Sequence, residues 1–306
     1  MGLDLKDPGA RAVIYREMPA IWNPAFRSRF YARWGRESAV ICARARRAEY
    51  PEFRQLLSIK AAFGGVEDYF VDGRRIGVDD DSFAIFNAGR SYASRIDALA
   101  PVHSFSVFFE AGMLEQVRRS MNATTTQLLD DPAGASAESL EFPERLYEHD
   151  QLVSPVLRHI RDAVAAGVDD EAWLEEQLQL LLERMLRLRD RQLSFAAALG
   201  ASRPATRAEL WSRLGRGVDF MHTHYSEPLR LRDIAAAARL SPFHFLRTFR
   251  AAYGITPNCY LNRKRTVVAR RLLQSSDWSM TTVALQVGFG SRSNLYRHLR
   301  AASRAD

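Results

Sequence analysis

The side chains best suited to chemistry in this chain are arginines and small polar residues set at helical spacing toward its C-terminal end. Arg247 follows Ser241-Pro242, a serine that can cap a helix and a proline that fits its first position. A guanidinium in that place can fork the O6/N7 edge of a guanine, a contact that discriminates bases by about 1–3 kcal/mol. Arg250 stands one turn further along the same stretch. About fifty positions later Ser291 opens a second such helix, and Arg292, Ser293, Asn294 and Arg297 would face a groove from it. Asn294 suits an adenine or a phosphate, and equally an ordinary polar helix surface. Between the two helices lie Arg263, Lys264, Arg265, Arg270 and Arg271. Two or three of these, Arg263 among them, are expected to touch phosphates, which position a protein on DNA without specifying sequence. For a single copy, a solvated arginine on a plain helical hairpin explains Arg247 equally well.

The elements that must hold these residues occur twice, and the duplication decides for double-stranded DNA. Ile234-Ala235-x-x-Ala238-Arg239-Leu240 matches Val283-Ala284-x-x-Val287-Gly288-Phe289 at an offset of 49. The following run from Phe245 to Ala252 matches Leu295 to Ala302 at an offset of 50, so one residue has entered at the turn. Two copies are too few for a solenoid. Each copy reads as a short helix, a turn and a capped second helix, the helix-turn-helix geometry whose second helix enters the major groove. Leu210, Leu214, Val218 and Met221 predict a leading helix over 206–225 that ends before Glu227-Pro228. Thr256-Pro257 predicts a connecting helix over 258–274, Ser279 a cap, and Gly288 a positive φ.

Composition agrees with this division. The 306 residues carry a net charge of +7, with 47% hydrophobic and 26% charged residues, ordinary values for a globular protein of two domains. From Arg203 to Asp306 there are 18 basic and 6 acidic residues, a net of +12 that leaves −5 for the remainder. A basic end on a mildly acidic one suits a DNA-binding module joined to a different domain. Only three basic residues are lysine (Lys6, Lys60 and Lys264), a bias shared by both halves and so attributable to genome composition. Cys42 and Cys259 have no CxxC spacing, and no apolar run is long enough to span a bilayer, so no metal, no disulfide framework, no membrane and a cytoplasmic location are expected.

Residues 206–306 resemble the C-terminal domain of the AraC/XylS family of bacterial transcription regulators. The resemblance is carried by Asp233-Ile234-Ala235, Leu240-Ser241-Pro242-x-His244-Phe245-x-Arg247-x-Phe249-Arg250, Tyr253-Gly254-Ile255-Thr256-Pro257-x-x-Tyr260, Ala269-Arg270-Arg271-Leu272-Leu273 and Val283-Ala284-x-x-Val287-Gly288-Phe289. It implies base-facing positions at Phe243, Leu246 and Arg247 in the first unit, and at Arg292, Ser293, Asn294 and Arg297 in the second. Arg239 stands where the family often has glycine, which implies a left-handed arginine at a cost of about 1 kcal/mol. Arg230 stands where Ser or Thr usually caps. The family continues past the second recognition helix with a further segment, whereas this sequence stops at Asp306. Leu295 and Leu299 are therefore expected to lose packing, and the second unit to be the more mobile and weaker reader.

Residues 13–110 read as short strands, among them 57–61, 83–86 and 105–109, with an Asp72-Gly73 hairpin turn between 69 and 78. That spacing favours a small sandwich or barrel. The region resembles the cupin-like sensor of the same family through Gly65-x-x-x-Tyr69, Asp72-Gly73-Arg74, Asn87-x-Gly89-Arg90-x-Tyr92 and Phe105-Ser106-x-Phe108-Phe109. A barrel of this size can hold one small-molecule effector, with Lys60, Tyr69, Phe86, Tyr92, Arg95 and His103 as its candidate lining; for any one of them a scaffold role is favoured over ligand contact. His103 is a lone histidine, and the His222-x-His224 spacing is better explained as a helix end than as a metal site. From 143 to about 192 the chain turns helical. Leu152, Val153, Val156, Leu157 and Ile160 form one stripe, and Leu174, Leu178, Leu181, Met185 and Leu188 form a second with a/d spacing. The second stripe either packs on the barrel or joins a homodimer, and the family resemblance favours the dimer.

The expected fold class is α+β, with a cupin-like β-barrel and a helical dimerisation segment over 1–195, a linker over 196–205, and an all-α domain with two helix-turn-helix units over 206–306. The expected function is a sequence-specific transcription regulator, an activator that meets RNA polymerase, answers to an effector and needs no cofactor. A constitutive DNA binder with a barrel serving only as scaffold is the nearest alternative. A cupin enzyme fused to a binding domain is less favoured, because no metal-ligand set, Gly-x-Ser-x-Gly or phosphate loop is present.

Overall fold

The computed structural model describes residues 12–122, 140–197 and 204–302. The chain divides into two compact units, Met1–Gln192 and Leu193–Asp306. The expected linker falls largely on 198–203, outside the described residues.

The first unit is built on one eight-stranded sheet. Strand β1 (Ala12–Tyr15) runs parallel to β2 (Ser38–Arg54), with α1 (Pro24–Arg33) between them. The remaining strands are β3 (Ser58–Phe63), β4 (Glu67–Val71), β5 (Arg74–Val78), β6 (Ser82–Phe86), β7 (Ser91–Phe108) and β8 (Leu146–Glu148). Their order is β1-β2-β7-β3-β6-β8, with β4 pairing both β5 and β7. The 105–109 strand expected from sequence is only the end of β7. That strand pairs with β3 through 103–108 and with β4 through 93–95, while β2 follows its other edge. The hairpin turn is confirmed: Asp72 and Gly73 both have positive φ, 50° and 70°.

Alternation sorts this sheet into two faces. Ile59, Ala61, Phe83, Ile85, Phe105 and Val107 point to one side. There they join residues of α2 (Met113–Asn122), α3 (Val153–Ala165) and α4 (Glu171–Ala197) in one core. Ala62, Tyr69, Ala84, Phe86, Tyr92 and Ile96 lie on the other side in a second core. The a/d stripe of α4 is used here. Leu174, Leu178, Leu181, Met185 and Leu188 are between 0% and 5% exposed within their own chain. A dimer seam on that stripe is therefore corrected to intramolecular packing, because burying these side chains once removes their drive to associate again.

Asp72, Asn87 and Arg90, motif residues of the first unit, act as scaffold. Arg90 pairs with Asp72 at 2.5 Å. The Asn87 amide donates to the Phe142 carbonyl and its oxygen accepts from the Phe142 N–H, both at 2.8 Å.

Candidate nucleic-acid interface

The second unit consists of α5 (Pro204–Thr223), α6 (Leu231–Ala237), α7 (Pro242–Tyr253), α8 (Pro257–Ser275), α9 (Met280–Gln286) and α10 (Arg292–Ala302). Caps fix where these helices begin. Ser241 Oγ accepts from the His244 N–H at 3.3 Å, Thr256 Oγ1 from Cys259 at 3.2 Å, Ser279 Oγ from Thr282 at 3.1 Å and Ser291 Oγ from Asn294 at 3.3 Å. At α6, where Arg230 replaces the usual hydroxyl, the return half of a capping box compensates: the Arg230 N–H donates to the Asp233 carboxylate at 3.0 Å.

The sequence duplication reappears bond by bond. Leu240 donates to the Ala235 carbonyl and Phe289 to Ala284, each at 2.9 Å. Arg239 donates to Ala236 at 2.9 Å and Gly288 to Leu285 at 3.1 Å. Both turn residues are left-handed, Arg239 at φ 53° and Gly288 at φ 84°. The shift in offset from 49 to 50 is Gly290, at φ 69°, just before the Ser291 cap. Gly288 is also constrained by space. A Cβ there would lie 2.7 Å from the Ser226 carbonyl oxygen and 3.0 Å from an Arg265 nitrogen.

Each pair has its own core. Ile234, Ala235, Ala238, Phe245 and Phe249 pack with Trp211, Leu214, Val218 and Met221 of α5. Val283, Ala284, Val287, Phe289 and Leu295 pack with Val268 and Ala269 of α8. The packing expected to be lost around Leu295 is present. Leu295 is fully buried, Leu299 packs against the same cluster, and His298 stacks on Phe289 with ring centroids 4.9 Å apart.

Around these cores the arginines separate into spent and free. Arg265, grouped by sequence with the surface cations, is buried: its Nε donates to the Tyr225 carbonyl at 2.6 Å and its Nη2 to the Glu227 carbonyl at 2.7 Å. Burial lowers its pKa from the ordinary value. It ties α8 to the loop after α5, the loop whose Ser226 carbonyl meets Gly288. Lys264 is buried as well, with its ammonium 5.7 Å from the Tyr225 ring centroid.

By contrast, Arg247, Arg250, Arg263 and Arg292 are exposed. Among the described residues no hydrogen bond or ion pair engages them. Phe243, 74% exposed, lies beside Arg247, whose guanidinium carbon is 5.9 Å from its ring centroid. Leu246 is half-buried and Ser293 exposed. Asn294 is already committed: its amide donates to the Phe289 carbonyl at 3.2 Å, and its oxygen accepts from Arg297 at 2.8 Å. The amide edge that would read adenine is thus occupied, while Arg297 remains exposed. His222 meets the Tyr260 hydroxyl at 3.1 Å and His224 meets Glu227 at 2.9 Å, so the pair serves as a helix end.

In the first unit, three of the six expected lining residues meet at a pocket on the second sheet face: Lys60, Tyr69 and Tyr92. Phe86 lies behind them, its ring 4.4 Å from that of Tyr92. Arg95 is exposed and pairs with Asp97 at 3.2 Å. His103 has the parity of Phe105 and Val107, so it faces the helices and meets Cys42 Sγ at 3.2 Å. Sequence reading missed Trp34, Gln55, Glu67 and Phe108, which line the pocket as well. The polar Ser104 and Ser106, alternating with apolar Phe105 and Val107, were the available signal for a polar interior face.

Residues 234–304 match the family model of a helix-turn-helix domain. Over 82 residues the chain is 39% identical to the regulatory protein PocR of Salmonella typhimurium (strain LT2), covering 27% of each protein. Over 143 residues it is 29% identical to the HTH-type transcriptional activator RhaS of Klebsiella pneumoniae (strain 342), covering 46% of this chain and 48% of that one. A solved transcriptional regulator from Chromobacterium violaceum, of the AraC-type DNA-binding-domain proteins, is 29% identical; the match covers 30% of this chain and 82% of that one, with a TM-score of 0.29. The matched stretches thus span about a quarter of PocR and about half of RhaS.

Proposed function

We propose that this chain, whose C-terminal residues form an AraC-type helix-turn-helix domain with relatives in the AraC/XylS family, is a sequence-specific DNA-binding transcription regulator. The observation that carries the reading is the duplicated helix pair with unpaired arginines on its second helices. In it α7 and α10 act as the recognition helices of two helix-turn-helix units and enter neighbouring major-groove stretches. Phe243, Leu246, Arg247 and Arg250 meet DNA from α7; Arg292, Ser293, Asn294 and Arg297 meet it from α10, with Asn294 restricted to phosphate through rearrangement of its turn. Arg263 contacts phosphate from α8. Free guanidiniums favour this reading, since a cation already paired with a carboxylate has less to gain from a phosphate.

The similarity to an activator supports activation, and with it contact with RNA polymerase. The first unit is read as a cupin-like barrel that responds to a small-molecule effector, on the strength of its lined pocket. Homodimerisation would use a surface other than the α4 stripe.

Selection of duplexes from a random pool, followed by anisotropy titration against salt, tests the DNA reading. A selected sequence should bind about a thousandfold or more tighter than unrelated DNA, and log K should fall linearly with log salt concentration. Equal affinity for selected and unrelated duplexes would remove the claim of sequence-specific regulation.

A further inference from the structure

The pocket of the first unit is an open cleft with a cavity volume of about 50 Å³, or about 470 Å³ of empty space when the solvent at its mouth is included. Met18, Pro19 and Ile21 contribute to its wall, and the Tyr50 hydroxyl holds that segment by donating to the Pro19 carbonyl at 3.0 Å. Its interior contains one cation and one anion: Lys60 is 1% exposed and Glu67 is 3% exposed. Neither is fully engaged by the protein. Lys60 Nζ sits 3.2 Å from the centroid of the Phe108 ring, and Glu67, although its carboxylate meets Ser94, Ser104 and Tyr69, keeps Oε2 without a hydrogen-bond partner. The same is true of Gln55 Oε1 and Trp34 Nε1, both of which belong to residues lining this pocket. Buried polar atoms are normally satisfied, so several orphans gathered on one cavity indicate groups that a ligand completes.

We propose that this pocket holds a small zwitterion, with an ammonium and a carboxylate on one aromatic frame, the chemistry of an aromatic α-amino acid. The assignment rests on reading the first unit as an effector-responsive domain and names the ligand class for it. A carboxylate placed at Lys60 and an ammonium placed at Glu67 answer both buried charges at once. A ligand with one charge answers one and leaves the other with no counterpart on the ligand, and a neutral polyol brings a charge to neither. Trp34 and Phe108, whose rings pack with centroids 4.8 Å apart, give the pocket an aromatic side for a ring to lie against, and the Trp34 N–H and Gln55 oxygen offer one donor and one acceptor beside it. Burial pushes the Lys60 pKa down and that of Glu67 up. A ligand bringing the opposite charge to each favours the ionised form of both.

Calorimetric titration of the full chain with L-tryptophan, L-tyrosine and L-phenylalanine tests this, alongside their decarboxylated amines, their deaminated acids and myo-inositol. At least one of the three amino acids should bind, and its singly charged analogues should bind about tenfold to a hundredfold more weakly. Lys60→Met and Glu67→Gln should each weaken that amino acid by a similar factor. The assignment is overturned if none of the three binds, if an amine, an acid or inositol binds as tightly, or if both folded variants bind unchanged. If a variant does not fold, the wild-type panel alone decides. DNA binding is followed in parallel, so a chain that selects DNA but binds no amino acid loses only the ligand assignment. A chain that binds the amino acid but selects no DNA loses only the regulator reading.

Discussion

Arg247 and Arg265 stand on consecutive long helices of the second unit and carry the same group, yet their donors have opposite fates. Those of Arg265 are spent on two backbone carbonyls, whereas Arg247 has only the ring of Phe243 beside it. Arg265→Met should therefore destabilise the second unit by about 2–5 kcal/mol, by leaving the Tyr225 and Glu227 carbonyls short of donors; thermal unfolding followed by circular dichroism reads this as a lowered Tm. Arg247→Ala should leave Tm unchanged and relax base preference at one position by about 1–3 kcal/mol. Arg263→Ala should weaken all duplexes alike and reduce the salt slope by about one. An unchanged sequence ranking for Arg247→Ala would remove its base-reading role. Sequence alone could not separate Arg265 from Arg263, since both are arginines on one helix. Their difference lies in a loop forty residues upstream that only folding brings near.

At the scale of elements, the C-terminal helices were legible because their starts are written in local chemistry. Ser241-Pro242, Thr256-Pro257, Ser279 and Ser291 cap the helices they were expected to open. The long strands were not. The second half of β2 runs through Arg44-Ala45-Arg46-Arg47-Ala48-Glu49, largely exposed residues with no apolar alternation to mark them. The pocket lining was half legible for a related reason: it obeys strand parity, which admits Lys60 and Tyr92 and turns His103 and Arg95 away. Gly288→Ala offers a test of how two elements meet. Its positive φ and a Cβ 2.7 Å from the Ser226 carbonyl should cost more than about 1 kcal/mol. In thermal melts its loss should exceed that of Gly290→Ala, where a positive φ meets open space.

Across the whole molecule, each unit has cores of its own, so each has its own response to conditions. In the first unit His103 faces Cys42, with Arg44, Arg161 and Asp162 near it. His149 faces Ser154, with Arg158, Asp79, Asp81 and Asp150 around it. Burial is the main cause that lowers both imidazole pKa values from 6.5. Their contribution to stability is therefore complete above that value and lost as pH falls through the lower, folded one. The Tm of the first unit should drop as pH falls below about 6.5, and His103→Gln with His149→Gln should flatten the drop; an unvarying Tm in the parent chain would contradict it.

The contact among Arg265, Ser226 and Gly288 has a consequence for what a promoter must look like. It braces the loop that leads into the first helix pair against α8 and the turn of the second pair, so on the proposed reading the gap between α7 and α10 is a gauge of set length. Each base pair inserted between two half-sites turns one about 34–36° around the duplex axis relative to the other. One inserted base pair should then weaken binding more than any single base replacement, and ten or eleven should restore the facing but not the reach. The gauge makes the chain a reader of phase as well as of letters, and competition titrations with spacer-length variants would measure how finely it is ruled.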